Sequence, residues 1–215
     1  SASRSTAIMM IDLDNFKQVN DRRGHGIGDL LLVECARRIG TAIPPNALLA
    51  RIGGDEFACA ITFDKTSPEL VDAIAASIVE TLGKPFDVQG IGIDITASIG
   101  ITRADVLKRA DGGAIDAQHM LDMADVAMYH AKRNGRNSYF WFEEFMADEM
   151  RFRERIESGM RRGIENGEFV PFYERQIDVA TGELVGFEML ARWNSSEFGL
   201  LVPDMFIPIA EEIGL

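Results

Sequence analysis

The stretch Arg51-Ile52-Gly53-Gly54-Asp55-Glu56-Phe57 constrains this chain more than any other. Two glycines and two acids stand between apolar, β-prone runs over residues 47–52 and 57–63. The pattern predicts a tight hairpin with carboxylates at its tip, because Gly-Gly supplies the positive φ angles that a two-residue turn needs. The missing Cβ atoms also let a bulky phosphate lie against the backbone. Taken alone, these residues read first as an ordinary polar hairpin. A second acidic cluster is what points to chemistry.

That cluster ends the run Ala7-Ile8-Met9-Met10-Ile11, which leads into Asp12-Leu13-Asp14. A short run without alternation predicts a strand buried on both faces, and its C-terminal end is where open α/β sheets place ligands. Asn15 to Asp21 follow, then Gly24, Gly26 and Gly28, read as a sharp turn with Asp29 capping the next helix. Leu32, Cys35, Ile39 and Ile43 recur at helical spacing, as do Val71, Ile74, Ile78 and Leu82 after a start at Ser67-Pro68-Glu69. Residues 91–101 read as one strand, 105–116 as a loose polar stretch, and Met120, Met123, Ala124, Ala127 and Ala131 as a helix whose methionines are core. Tyr139 to Phe142 return as a strand. The expected class is α/β (α+β), an antiparallel-containing sheet covered by helices. Three segments are expected: 1–142 as the principal domain, 143–166 as a charged helical linker, and 167–215 as a piece too small to bury a convincing core alone.

A formal net charge of −12 over 215 residues argues against a nucleic-acid polymer or an anionic membrane surface as partner. It leaves room for a small phosphorylated ligand when divalent cations neutralise both sides. Cys35 and Cys59 are expected as buried free thiols in a reducing cytoplasm. No apolar run reaches the ~20 residues of a spanning helix.

If the first strand and the Gly-Gly hairpin are neighbours, Asp12, the Leu13 carbonyl and Asp55 form a set of hard oxygen ligands. Such a set suits Mg²⁺ shared with a triphosphate. Lys17, Lys132 and Arg136 are the cations placed to reach a phosphate tail. Asn20 and Asp29 together match the donors and acceptors of a guanine edge. Singly, each residue also reads as a turn, a cap or a solvated helix end. Their joint order disfavours that.

The sequence Asp12-Leu13-Asp14-Asn15-Phe16-Lys17-Gln18-Val19-Asn20-Asp21, then Gly24-His25 and Gly28-Asp29, then Gly53-Gly54-Asp55-Glu56-Phe57, then Ala131-Lys132 and Gly135-Arg136-Asn137, resembles the GGDEF family of diguanylate cyclases over about residues 7–142. The resemblance implies a nucleotidyl-cyclase/polymerase-palm fold and the Mg²⁺-dependent (or Mn²⁺-dependent) condensation of two GTP into cyclic di-GMP and pyrophosphate by a homodimer. It assigns Asp12, Leu13, Asp55 and Glu56 to the metals and Asp55 to the general base. Lys17 would stabilise charge on the phosphates. Asn20, His25 and Asp29 would surround guanine and ribose, and Lys132 and Arg136 would hold the phosphates. Pro44-Pro45-Asn46-Ala47 replaces the family's Arg-x-x-Asp product-inhibition site, so no feedback through it is expected. The family's usual Leu-Thr-Gly-Leu-like front segment is absent, which suggests a cut at the N-terminal side.

Residues 169–215 resemble the beginning of an EAL cyclic di-GMP phosphodiesterase domain, a TIM-barrel fold. Here Glu188-Met189-Leu190 stands for the signature, Glu188 at the metal-ligand position and Arg192 at the phosphate-contacting one. Tyr173-Glu174-Arg175 departs from the customary Tyr-Gln-Pro. With most of the barrel's ligands beyond this chain, no phosphodiesterase activity is expected from it. The competing expectation for the whole is a GTP-binding domain that regulates an attached phosphodiesterase without turning GTP over. Either belongs in the cytoplasm, with a parent protein whose further segments could anchor it to a membrane.

Overall fold

A computed structural model of the chain describes residues 3–107 and 116–215, so most of the loose polar stretch read at 105–116 lies outside the described residues. Contacts divide the chain into two compact units, residues 1–147 and 148–215.

The first unit runs β1 (Arg4–Asp14), α1 (Phe16–Arg23), α2 (His25–Ala42), β2 (Leu48–Gly53), β3 (Glu56–Asp64), α3 (Glu69–Leu82), β4 (Phe86–Val88), β5 (Ile91–Ile93), β6 (Thr96–Arg103), α4 (Ala117–Arg133) and β7 (Ser138–Trp141). Five strands form one sheet in the order β2-β3-β1-β6-β7. All neighbours are antiparallel except β6 and β7. β1 is central, which is why its apolar run does not alternate. Ala7, Met9, Ile11 and Leu13 join a core with residues of α2 and α3. Ile8 and Met10 point the other way, onto Met120, Ala124 and Met128 of α4.

Two expectations are corrected. Residues 91–101 form two strands, because β5 turns back on the unforeseen β4 as a separate hairpin. The glycines at 24–28 do not form one long turn. Gly24, at φ +84°, takes the bend alone, and α2 already begins at His25. Gly26, Gly28 and Asp29 therefore lie inside the helix, and Asp29 is not its cap. Cys35 and Cys59 are buried free thiols, and burial pushes their pKa up to about 12 and about 11.

The second unit contains most of α5 (Glu144–Glu165), then β8 (Phe169–Ile177), β9 (Leu184–Ser195), β10 (Gly199–Leu201) and α6 (Pro203–Ile213). Its strands form a three-stranded sheet, β10-β9-β8. Its small core gathers Ile156, Met160, Leu201, Phe206 and Ile209 around Trp193. The indole stacks on Phe169 and donates to Glu168 Oε2 at 2.9 Å. Tyr173, Phe187 and Met189 remain exposed on the strands. No described helix is long and apolar enough to cross a membrane.

Candidate functional site

Strand periodicity builds the site. Along β1, Asp12 and Asp14 share the face of Ile8 and Met10, the face that α4 covers. Both carboxylates are buried. Antiparallel pairing with β3 sets Asp12 opposite Glu56, and the Leu13 amide donates to the Asp55 carbonyl at 3.3 Å. The first acidic cluster and the hairpin tip are thus neighbours in one sheet.

The turn differs in detail from the sequence reading. Gly53 pairs with Glu56 across a register irregularity that leaves Ile52 out of the ladder, so the turn residues are Gly54 and Asp55. Only Gly54, at φ +47°, takes a positive φ. Arg51 grips its carbonyl with Nε at 2.9 Å and Nη2 at 2.7 Å. That clamp was not foreseen, although an arginine just ahead of two glycines was its signal.

Burial, foremost, raises the Asp12 carboxyl to a pKa of about 6, with the charges of Asp55 and Glu56 adding to the rise. Lys132, in the last turn of α4, opposes it through an ion pair from Nζ to Asp12 Oδ2 at 2.7 Å. Among the described residues, no three His, Cys, Asp or Glu side chains converge as a ready metal cage. A pair of carboxylates and a carbonyl with open positions is nevertheless the donor set that Mg²⁺ uses when phosphate oxygens complete its shell. The residues fit such a cation, on the condition that Lys132 swings off Asp12.

Asp14 has a different task. Its Oδ1 accepts from Ser98 Oγ at 2.7 Å, and its Oδ2 accepts from Thr96 Oγ1 at 2.6 Å and the Asn137 amide at 3.2 Å. Sequence reading placed Asp14 at the strand end without a role. Its alternation with Asp12 was the available signal.

Lys17 lies exposed in the first turn of α1, His25 exposed at the start of α2, and Asp29 exposed one turn later. Arg136 is exposed in the turn that follows α4. Asn20 is half-buried, and its Oδ1 is a buried oxygen without a hydrogen-bond partner. A buried polar atom of this kind waits for a donor. Gly28 explains its placement, since a Cβ there would lie 1.9 Å from that oxygen and 3.2 Å from Phe16 Cζ. Gly28→Ala is therefore expected to displace the Asn20 amide. Despite the gain in helix propensity, calorimetry with GTP, the ligand that the family resemblance implies, should show affinity falling by roughly tenfold or more, the value of one buried hydrogen bond with its partner. Unchanged affinity would count against a ligand contact at Asn20.

In the second unit Glu188 is exposed on β9, directly opposite Glu174 of β8. Arg192 lies four residues on, so on the same face, with its guanidinium 5.5 Å from the Phe172 ring centre.

Comparison with known proteins identifies the family. The family model described as diguanylate cyclase, GGDEF domain, matches residues 1–138, and the EAL domain model matches residues 158–215. An uncharacterized signaling protein of Caulobacter vibrioides is 37% identical over 215 residues, all of this chain and 26% of the relative. The bifunctional diguanylate cyclase/cyclic di-GMP phosphodiesterase MucR of Pseudomonas aeruginosa is 37% identical over 213 residues, covering 99% of this chain and 30% of MucR. The chain thus spans less than a third of either. Among solved structures, the GGDEF domain of YfiN from Pseudomonas aeruginosa superposes with a TM-score of 0.58 at 34% identity, covering 66% of this chain and 84% of that one. The GGDEF domain of DgcB from Caulobacter crescentus, solved with cyclic di-GMP, gives 0.53 at 28% identity over 64% of this chain and 78% of its own. The chain belongs to the GGDEF diguanylate cyclase family and continues into the first part of an EAL domain.

Proposed function

We propose that the first unit is an active Mg²⁺-dependent cyclase joining two GTP molecules into cyclic di-GMP. The observation that carries this reading is the register of β1 against the hairpin. It sets Asp12 beside Asp55 and Glu56, with the cationic Lys132 closing the same spot. The 3′-hydroxyl of one GTP attacks the α-phosphorus of the other, the bond to pyrophosphate breaks, and the hydroxyl proton leaves. Repeating the step in the opposite sense closes the ring. One GTP per chain then requires two chains face to face.

Asp12, the Leu13 carbonyl, Asp55 and Glu56 would hold Mg²⁺ or Mn²⁺. A cation held there would supply polarisation of the phosphorus and a lower pKa for the attacking hydroxyl. Asp55 takes the hydroxyl proton. Asn20, His25 and Asp29 orient guanine and ribose, while Lys17, Lys132 and Arg136 neutralise the phosphates. The EAL part belongs to a longer cytoplasmic signalling protein in which Glu188 serves a metal and Arg192 a phosphate.

Incubating the chain with GTP and Mg²⁺ and separating nucleotides by chromatography tests the proposal. Cyclic di-GMP is the expected product. GTP that binds but stays intact, at chain concentrations that populate a dimer, would replace this reading with a regulatory GTP-binding one.

The Asp12–Lys132 pair gives a second check, in Mn²⁺ titrations followed by electron paramagnetic resonance without nucleotide. Only the carboxylate form of Asp12 binds a cation. Affinity should therefore hold above pH 6 and fall by roughly tenfold per unit below it. At pH 8 the Lys132→Met variant, freed of the competing ammonium, should bind Mn²⁺ several-fold more tightly and GTP more weakly. Weaker Mn²⁺ binding in that variant would count against a cation at Asp12.

A further inference from the structure

Gly135, Arg136 and Asn137 take consecutive positive φ angles of +102°, +60° and +45°. Residues with a Cβ avoid this region, and two in a row persist only where the surroundings hold them. The holding contacts are two. The Arg136 amide donates back to the Ala131 carbonyl at 3.1 Å, closing α4. The Asn137 amide donates to Asp14 Oδ2 at 3.2 Å. Asp14 is itself fixed within the sheet by the hydroxyls of Thr96 and Ser98, both on β6.

We propose that Asp14 is a positioning residue. By tying the left-handed turn to the end of β1, it aims the Arg136 side chain at the nucleotide phosphates. The inference rests on the reading of the site as a GTP site and adds a residue that touches neither phosphate nor cation. The fold gives it a reason. Arg136 sits past the end of its helix, on a turn exposed to solvent. Without an anchor that turn would sample the ordinary right-handed and extended regions and carry the guanidinium elsewhere. A bidentate guanidinium–phosphate contact is strong only when pre-aimed.

The test is a double-mutant cycle read by calorimetry with the α,β-methylene analogue of GTP and Mg²⁺. Arg136→Ala and Asp14→Ala should each weaken binding by about tenfold or more, the worth of a charge-assisted contact. Together they should cost little beyond either alone. Asp14→Asn should retain most of the affinity. Its Oδ1 still accepts from the Asn137 amide, while its Nδ2 donates to the Ser98 hydroxyl, which rotates to accept. That rescue separates a tie from a charge effect, which would make Asp14→Asn as damaging as Asp14→Ala.

Should Asp14→Ala fail to fold, Asn137→Val tests the tie from its other end. A β-branched residue resists the left-handed region, so this variant should match Arg136→Ala and be non-additive with it, whereas Asn137→Gly should be neutral. Additive losses, or a damaging Asp14→Asn, would overturn the inference while leaving the GTP site standing. Absence of binding by the wild-type chain would overturn both.

Discussion

Asp55→Ala is expected to lower cyclic di-GMP formation by roughly a thousandfold or more, the largest effect on activity of any single substitution here. The residue combines two duties in the proposed mechanism. General-base catalysis is worth about 10²–10⁴ in rate, and loss of a carboxylate ligand weakens the hold on a cation left to Asp12, Glu56 and the Leu13 carbonyl. The turn itself should survive. Gly54 supplies the positive φ, and Arg51 holds the Gly54 carbonyl from the adjoining strand. The thermal midpoint should consequently move little, and GTP should still bind through contacts outside the turn. Chromatography of the reaction products, with a melting curve of the same preparation, decides the matter. An Asp55→Ala variant that keeps a tenth of wild-type turnover would remove Asp55 from the chemistry.

Gly100→Ala should have the largest effect on stability. Gly100 lies in β6 where α4 crosses the sheet. A Cβ there would come within 1.9 Å of the Ala124 carbonyl oxygen, 2.1 Å of the Met128 amide nitrogen and 2.8 Å of the Ala127 carbonyl carbon. All three are backbone atoms of one helix, so no rotamer change relieves the clash. The helix must lift from the strand, and with it the packing of Met120, Ala124 and Met128 on Ile8 and Met10. Overpacking of a close-packed interior costs about 1–3 kcal/mol where neighbours can adjust and more where they cannot. At about 3 kcal/mol the thermal midpoint should drop by roughly 6–12 °C. Gly40→Ala is the matched control. It lies inside α2 with nothing within 4 Å of the added carbon, and it should be neutral or stabilising by up to about 1 kcal/mol. Equal melting of the two variants would contradict the packing of α4 on β6. Displacement of α4 would also carry Lys132 away from Asp12, so Gly100→Ala should weaken GTP binding as well.

The fold class was legible from local patterns. A central strand lacking alternation, three helices with apolar stripes and a glycine hairpin are periodicities that survive in one dimension, because each element buries a face of its own. The family motifs were legible for a related reason: they are contiguous runs at strand ends and turns. The division of residues 91–101 into two strands was not. Its alternation continues smoothly through the break, and only pairing with β4 tells the halves apart. The run of glycines misled because glycine marks two things, a bend at Gly24 and a close approach at Gly28.

What the order of residues established on its own is therefore the class of the fold, the family, and the set of acids, cations and amide from which a nucleotide site could be drawn. Tertiary structure alone decided how these act on one another. Lys132 sits on Asp12 and not beside it as an independent cation, Asp14 anchors a strained turn that lies 123 residues away, and Gly28 makes room for an amide on another helix. Each is a contact between elements brought together by burial of their apolar faces. Burial is encoded as a pattern that a reader can see, whereas the partner across the interface is set by register and crossing geometry, which no local window contains.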